Sequence, residues 1–271
     1  MKTTQKLLVI FAALLVILSS VGCAKLKARD HLNKGVQAFK NSKFEQAIDH
    51  FQQAVALDPT LINARLYLAT ALAQQYIPGV DAPDNNRFGE QAIDQYKQVL
   101  ATDPRNINSI KGIAYLYLQM KKFPQAKDYY KQASSLDPND PEPYYSVAVI
   151  DWTQTYVPRQ EERAKLGMKP EEPLPTKDKK VCAMMREQNT ANVQEGIDNL
   201  NKALKLRPDY DDAMAYMNLM YRERADIQCD DPEAHNADLK TADEWVDKTM
   251  ATKKAKAEKQ PSGQIVVDQN K

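Results

Sequence analysis

The feature that most constrains this chain is an apolar segment that recurs four times, each copy ending in a proline. The copies read QAIDHFQQAVALDP, QAIDQYKQVLATDP, QAKDYYKQASSLDP and EGIDNLNKALKLRP. In the first copy Ala47, Phe51 and Ala54 stand at positions i, i+4 and i+7, which share one face of a helix. The closing proline lacks a backbone N–H and disfavours helical geometry in the residue before it. The pattern therefore predicts one amphipathic helix, repeated with a small–large–small apolar stripe.

A second predicted helix precedes each copy. In the stretch 107–140, Ile110, Ile113 and Ala114 follow helical spacing, and the two closing prolines that bound this stretch are 34 residues apart. The helix pair resembles the tetratricopeptide repeat family, whose pattern is W-x2-L-G-x2-Y, then A-x3-F, then P. The resemblance implies an all-α, right-handed α-solenoid of about five helix pairs. The units would cover about 28–61, 62–106, 107–140, 141–210 and 211–254.

The other closing prolines are 45 and 70 residues apart, which is longer than one repeat and implies insertions. We place them between the two helices of pairs two, four and five, at about 77–89, 158–190 and 227–240. Loops of one kind emerge on one edge of a repeat array, and loops this long are either functional or disordered. The stretch 181–186 is apolar enough to pack, which favours a functional role. The acidic, proline-rich stretch before it is compatible with either a functional or a disordered loop.

Two of the three cysteines, Cys182 and Cys229, fall in insertions of neighbouring units on that edge. Residues 1–22 have the layout of an export signal, and an exported protein meets an oxidising compartment. We therefore expect these cysteines to form a disulfide. The alternative is a pair of free thiols, because sequence spacing alone does not establish disulfide geometry.

The first helices of the pairs would line the inner surface of the array and hold a partner. Their residues outside the core form a candidate partner-binding groove: Asn63, Thr70, Asn108, Lys111, Tyr115, Gln119, Tyr145 and Trp152. The fourth such helix is apolar on two faces, because Tyr145, Trp152 and Tyr156 form a stripe opposite its core positions. Either the 158–190 insertion or a partner should cover this stripe, and we favour the insertion. Val36 replaces the first asparagine of the family's carboxylate-binding clamp, so that activity is not expected.

The N-terminus has the layout of an export signal over residues 1–22: two lysines, an unbroken apolar run at 7–18, then small residues before Cys23. The ending Ser-Val-Gly-Cys resembles the bacterial lipoprotein box, which implies a lipidated Cys23, an anchor linker at 23–27 and a periplasmic location. Ala24 lacks the aspartate that retains some lipoproteins at the inner membrane, which favours the outer membrane. A plain secretory signal and an uncleaved anchor are the alternatives.

Charge and motifs limit the function classes. Loss of the signal would remove two lysines from a chain of formal charge +1, so the chain is close to neutral and lacks the basic surface that nucleic acid requires. The three histidines are scattered, and no HExxH, CxxC, GxSxG or glycine-rich phosphate loop is present. We therefore expect no enzyme activity, no metal and no cofactor. The polar stretch 255–271 is predicted to be a disordered tail.

The leading hypothesis is a lipid-anchored scaffold or adaptor that binds other proteins or peptides of the bacterial cell envelope. In layout it resembles the repeat-containing lipoproteins of outer-membrane assembly, pilus-secretin assembly and peptidoglycan-hydrolase scaffolding. A second hypothesis is a ligand-binding module in which the 158–190 insertion and the Trp152 face enclose a small molecule or glycan. An enzyme with an unrecognised site in that insertion is a third and remote one.

Overall fold

A computed structural model describes residues 22–169 and 172–259, and all the regular secondary structure in this part is helical. The first helix, α1, covers residues 22–40 of the described chain. The others are α2 (Phe44–Leu57), α3 (Ile62–Gln75), α4 (Pro83–Thr102), α5 (Ile107–Gln119), α6 (Phe123–Leu136), α7 (Pro141–Lys165), α8 (Leu174–Lys177), α9 (Lys179–Leu206), α10 (Asp211–Asp226) and α11 (Pro232–Lys259). None of the described helices combines the length and apolar character needed to cross a membrane.

The chain divides into two compact units, Met1–Gln132 and Ala133–Lys271, with α6 spanning the division. In the first unit α2 packs against α3, α3 packs against α4 and α5, and α4 packs against α5. In the second unit α7 packs against α9 and α10, and α10 packs against α9 and α11. Helices α3, α4, α7, α9 and α10 thus each contact their own pair partner and a helix of a neighbouring pair.

The repeated apolar stripe forms the core, as predicted. Ala47, Phe51 and Ala54 of α2 are fully buried, and the equivalent small–large–small positions of α4, α6 and α9 are buried as well. Burying a side chain the size of Phe51 stabilises the fold by about 1.5–3 kcal/mol. The ring is accommodated because Gly35 of α1 has no side chain: a Cβ there would lie 2.5 Å from a ring carbon of Phe51. The predicted all-α architecture of helix pairs is confirmed.

The turns that close the repeats share one hydrogen-bond pattern. The N–H of the residue before each closing proline donates to the carbonyl four residues earlier, and its own carbonyl accepts from the N–H three residues later. At Asp58, Asp103 and Asp137 the carboxylate also accepts from the backbone N–H two residues later, at 3.1, 3.3 and 3.1 Å. This contact explains why three of the four prolines follow an aspartate.

The predicted insertions consist largely of helix. In the first, only residues 76–82 form a loop, and α4 begins at Pro83. The buried Asn85 side chain holds this loop to α4: its amide donates to the carbonyls of Ile77 and Val80, and its oxygen accepts from Ile77 N–H at 2.7 Å. In the third, α11 begins at Pro232. Proline suits the first position of a helix, where its missing N–H is not needed, so these prolines start helices where the sequence analysis placed loops.

In the second insertion, the expected end of the preceding helix at Pro158 is wrong. Helix α7 continues through Pro158 to Lys165, and α9 begins at Lys179, so the stretch 181–186 belongs to a long helix. The N-terminus of α9 is capped by the Asp178 carboxylate, which accepts from two backbone N–H groups at 2.9 and 3.0 Å.

Both predicted terminal segments also need correction. Residues 23–27, which we predicted to be a linker, are helical and belong to α1. At the other end, residues 255–259 belong to α11, and the rest of the predicted tail lies outside the described residues. The apolar run and basic start of the predicted export signal lie outside them too.

Candidate functional site

The first candidate surface lies on α3 and α5, the first helices of two pairs in the first unit, and we name it the α3–α5 surface. These helices contact each other, so their solvent-facing sides adjoin. Of the predicted groove residues, Asn63, Asn108 and Tyr115 are exposed here, Tyr115 with 49% of its surface accessible. Lys111 and Gln119 are partly exposed on α5. An exposed tyrosine among amides suits contact with a peptide, because it offers apolar area and a polar tip.

Sequence reasoning missed one aromatic residue of this surface, and one of its predicted polar residues also makes contacts within the core. Tyr67 is 41% exposed and stacks on the buried Phe51 ring, with 5.6 Å between the ring centroids. Thr70 also has a packing role: its hydroxyl donates to the Leu66 carbonyl at 3.0 Å and lies 3.2 Å from the Tyr96 hydroxyl. Burial raises the pKa of Tyr96, which keeps that hydroxyl neutral and available for the hydrogen bond.

The aromatic stripe of α7 in the second unit contacts α10, a possibility that the sequence analysis did not consider. Trp152 stacks on Tyr156 at 4.6 Å and meets Tyr216 of α10 edge-on at 5.5 Å. Tyr145 lies 5.0 Å from Tyr210 and 5.5 Å from Tyr216. Burial raises the pKa of Tyr145, and the neighbouring Tyr216 adds to the shift. The Trp152 indole N–H is buried and has no acceptor within the described part of the chain.

The predicted disulfide is present in the second unit. Cys182, near the start of α9, is bonded to Cys229 in the segment between α10 and α11, with 5.6 Å between the Cα atoms. Both cysteines are buried. The bond joins the second and third predicted insertions. The remaining cysteine, Cys23, is exposed and free.

A buried charge network, which we name the arginine–carboxylate network, holds the part of α7 beyond Pro158 against α10. Arg159 pairs with Asp226 at 2.5 Å and with Glu223 at 2.9 Å, and Arg163 lies 3.3 Å from Asp226. The two arginines are four residues apart and the two carboxylates three apart, so each pair shares one face of its helix. All four side chains are at least 87% buried.

Glu223 is the least satisfied member of this network. Its contact with Arg159 is close but poorly aligned, and neither of its oxygens accepts a hydrogen bond from any described residue. Burial raises its pKa from the ordinary 4.5 to about 7, although the charge of Arg159 opposes the shift. We infer that Glu223 changes its protonation state near neutral pH.

The second unit has two cavities, and the first of them opens beside this network. One, of about 500 Å³, is lined by Tyr156, Arg159, Arg163, Arg222 and His235 among others. The other, of about 560 Å³, shares Pro173 and His235 with the first, and its lining combines three prolines and Cys229 with polar side chains. His235 donates through Nδ1 to the Ala225 carbonyl at 2.8 Å, so Nε2 is left as the acceptor in the neutral ring. The charged cavity has the donors to bind a small polar molecule.

Within residues 22–169 and 172–259, no group of three or more His, Cys, Asp and Glu side chains is arranged to hold a metal ion. The predicted groove residues fall in different places: those of α3 and α5 lie together in the first unit, and those of α7 pack within the second.

Comparisons with known proteins agree with this description. Tetratricopeptide repeat family profiles match residues 28–61 and 89–150. A search of curated protein sequences found no match.

Solved structures with similar folds include a crystal structure of MamA, which is 12% identical, with 86% of this chain and 96% of that chain covered and a TM-score of 0.58. MamA (41-end) from Desulfovibrio magneticus RS-1 is 15% identical over 84% and 96%, with a TM-score of 0.56. YrrB, described as a TPR protein with an unusual peptide-binding site, is 13% identical over 84% and 90%, with a TM-score of 0.51. At these identities the likeness establishes the fold alone.

Repeats of this family form binding surfaces for proteins and peptides, so the profile matches support a protein-binding scaffold. The profile matches assign tetratricopeptide repeats to residues 28–61 and 89–150, and the similar solved structures show the α-solenoid fold of such repeats.

Proposed function

We propose that this chain is a lipid-anchored adaptor of the bacterial cell envelope, tethered through Cys23 and binding partner proteins on the α3–α5 surface. The observation that carries the envelope location is the buried disulfide between Cys182 and Cys229. Structural disulfides persist in oxidising compartments and are rare in the cytosol. The disulfide thus favours the same compartment as the export signal that the N-terminal sequence predicts.

The position of Cys23 also supports the anchor. It is exposed at the start of α1 and stays a thiol when the other two cysteines pair. Lys25, Lys27 and Arg29 follow it and are exposed, so a lipid on Cys23 would bring three cations close to the headgroups. Each basic residue near an anionic surface contributes about 1 kcal/mol of attraction. Because α1 begins at or before Cys23, the first helix pair would lie directly against the membrane. The absence of an aspartate at Ala24 favours the outer membrane over the inner one.

The adaptor role rests on the α3–α5 surface. Tyr67 and Tyr115 expose aromatic area on adjoining helices, beside the exposed amides of Asn63 and Asn108. Rigid aromatic side chains with nearby amide groups suit the binding of an extended or helical peptide. YrrB, which has the same fold, is described as having a peptide-binding site. Partners in outer-membrane, pilus or cell-wall assembly would fit the proposed location.

The anchor is tested by comparing the wild-type chain with Cys23→Ala in a bacterial host. We expect the wild type in the membrane fraction, with an acylated N-terminal cysteine in the mass spectrum. The variant should lose the acyl mass and leave the membrane fraction when the signal is still cut. A wild-type chain whose mature N-terminus carries no acyl group would refute the lipid anchor.

The partner surface is tested separately with photo-crosslinking residues in living cells. A crosslinker at Tyr115 should give discrete adducts with envelope proteins, whereas one at Gln91, exposed on the second helix α4, should not. Substituting Asn63 and Tyr67 together with alanine should weaken the Tyr115 adducts. Equal crosslinking at Tyr115 and Gln91 would count against this surface.

A second candidate function is the binding of a small polar ligand in the cavity of about 500 Å³ beside the arginine–carboxylate network. Arg222 and His235 reach this cavity from α10 and α11, next to Tyr156 of α7. Co-purification of a small molecule that Arg222→Ala abolishes would favour this function, while envelope proteins crosslinked at Tyr115 would favour the adaptor.

A further inference from the structure

The first helix pair places two histidine side chains face to face. His31 of α1 and His50 of α2 are both partly buried, and their Nδ1 atoms are 3.3 Å apart. The ring centroids are 5.5 Å apart and the ring planes are tilted by 48°. The two residues are 19 positions apart in the sequence, so the packing of the helices and not local chain geometry brings them together.

This separation matches the distance between two ligands of one metal ion. Zinc bound by histidine has Zn–N bonds of about 2.0–2.1 Å and tetrahedral geometry, which puts two ligand nitrogens about 3.3–3.4 Å apart. Two nitrogens of His31 and His50 thus already stand at the required spacing. The core contact between Gly35 and Phe51 holds the same two helices together, so binding would need only small ring rotations.

The carboxylate next to the pair is already engaged. Asp30, adjacent to His31 in the sequence, forms an ion pair of 2.7 Å with Lys34, so its charge is offset there. The two imidazoles are therefore the candidate ligands from these helices.

We propose that His31 and His50 form a binding site for one divalent transition-metal ion, with Nδ1 of each ring as a ligand and water in the other positions. Imidazole nitrogen prefers zinc, copper and nickel over magnesium and calcium, which take oxygen ligands. The metal competes with a hydrogen bond between the two nitrogens. The ring that carries its proton on Nδ1 must shift to the Nε2 tautomer, and neither ring can bind metal when it is protonated.

The test is calorimetric titration of the mature chain with Zn²⁺. The disulfide is kept oxidised and Cys23→Ser is present, so that no thiol takes part. At pH 7.5 we expect one saturable site, and at pH 5.5 the affinity should fall because protons compete with the metal for the imidazole nitrogens. His31→Gln and His50→Gln should each weaken binding at least about tenfold, since even outer-shell changes commonly cost 10–100-fold. His235→Gln, which alters the third histidine of the chain, should leave the affinity unchanged.

Electron paramagnetic resonance of the wild-type chain with one equivalent of Cu²⁺ gives an independent readout that needs no variant to fold. Two imidazole nitrogens in the hyperfine pattern, lost in His50→Gln, would support the site. The proposal is overturned if the wild type binds no metal. It is equally overturned if affinity survives in His31→Gln and His50→Gln, or if His235→Gln lowers it as much.

Discussion

Glu223 should make the stability of the second unit fall as the pH rises from about 4.5 to about 7. Its carboxyl has a pKa of about 7 in the folded protein, against an ordinary value of 4.5, because burial disfavours its ionised form. A group whose pKa is raised on folding stabilises the fold most below its unfolded pKa, and that stability is lost as the pH passes its folded pKa. A shift of roughly 2.5 units at about 1.36 kcal/mol per unit corresponds to about 3 kcal/mol.

The perturbation that isolates this contribution is Glu223→Gln, which keeps the shape of the side chain and removes its titration. From pH 5 to pH 8, the free energy of unfolding of the wild type should fall relative to that of this variant by about 2–3 kcal/mol. The assay is urea unfolding followed by tryptophan fluorescence. Both tryptophans of the chain, Trp152 and Trp245, belong to the second unit, so the signal reports on it.

Two outcomes would refute the reasoning. A difference that does not change with pH would mean that Glu223 does not titrate in this range. A difference that shifts in favour of the wild type as the pH rises would mean that Arg159 stabilises the carboxylate by more than burial costs. The matched control is Glu187→Gln, an exposed glutamate of α9, which should show no pH-dependent difference from the wild type.

Three further predictions concern the fold. Gly35→Ala should lower the free energy of unfolding of the first unit by about 1–3 kcal/mol, because the new methyl group meets the buried Phe51 ring. Hydrogen exchange over residues 28–61 measures this loss. Reducing the bond between Cys182 and Cys229 should destabilise the second unit by at most about 4 kcal/mol, read from the urea midpoint by tryptophan fluorescence. Asp103→Ala should cost about 0.5–1.5 kcal/mol through loss of its turn hydrogen bond, measured by thermal unfolding.

Each of these has a matched control. Gly196→Ala should cost less than Gly35→Ala, because its new methyl group meets the flexible end of Met220 instead of an aromatic ring. The reduced wild type should match Cys182→Ala/Cys229→Ala, and unchanged midpoints in both would contradict a stabilising disulfide. Asp103→Asn keeps a side-chain acceptor and should be nearly neutral; a loss as large as that of the alanine variant would point to charge instead of the hydrogen bond.

The repeated helix could be predicted from the sequence because its signal is local. The apolar stripe of the second helices, such as Ala92 with Tyr96, follows the helical period, and the closing proline marks where each copy ends. The core positions and the number of helix pairs follow directly. The aspartates before the prolines carried a turn signal as well, although the sequence analysis did not use it.

The helix boundaries in the insertions were harder to predict, because a proline can either start a helix or end one. At Pro83 and Pro232 it starts a helix, and at Pro158 it lies inside one. Interior proline removes one backbone hydrogen bond and usually ends a helix. Beyond Pro158, α7 is held against α10 by the tertiary contact of Arg159 with Asp226, 67 residues later in the chain. No local pattern encodes that contact, although two arginines spaced i and i+4 could have prompted a search for a facing acidic pair.

The candidate partner surface was predictable only in part. Asn63, Asn108 and Tyr115 are exposed where the repeat register puts them, because that register is periodic. Tyr145 and Trp152 were assigned to the same groove, yet their rings pack against tyrosines of the same unit. An aromatic side chain on the first helix of a pair can contact either a partner or the next helix of the array. Which of the two it contacts depends on the size of the residues that face it on that next helix.

In the second unit, the second and third predicted insertions form what we call the elaborated edge. Covalent and ionic contacts fix it in place, and this affects how it could bind a ligand. The disulfide between Cys182 and Cys229 ties α9 to the segment before α11. The bidentate contact of Arg224 with the buried Asp238, at 2.5–3.1 Å, ties α10 to the first turns of α11. Because each contact joins residues of a predicted insertion to a neighbouring element, the parts that they hold should lose less entropy when a ligand binds. A ligand that binds here should therefore be selected by the shape and charge that the edge already has, and reduction of the disulfide should weaken that binding more than binding at the α3–α5 surface.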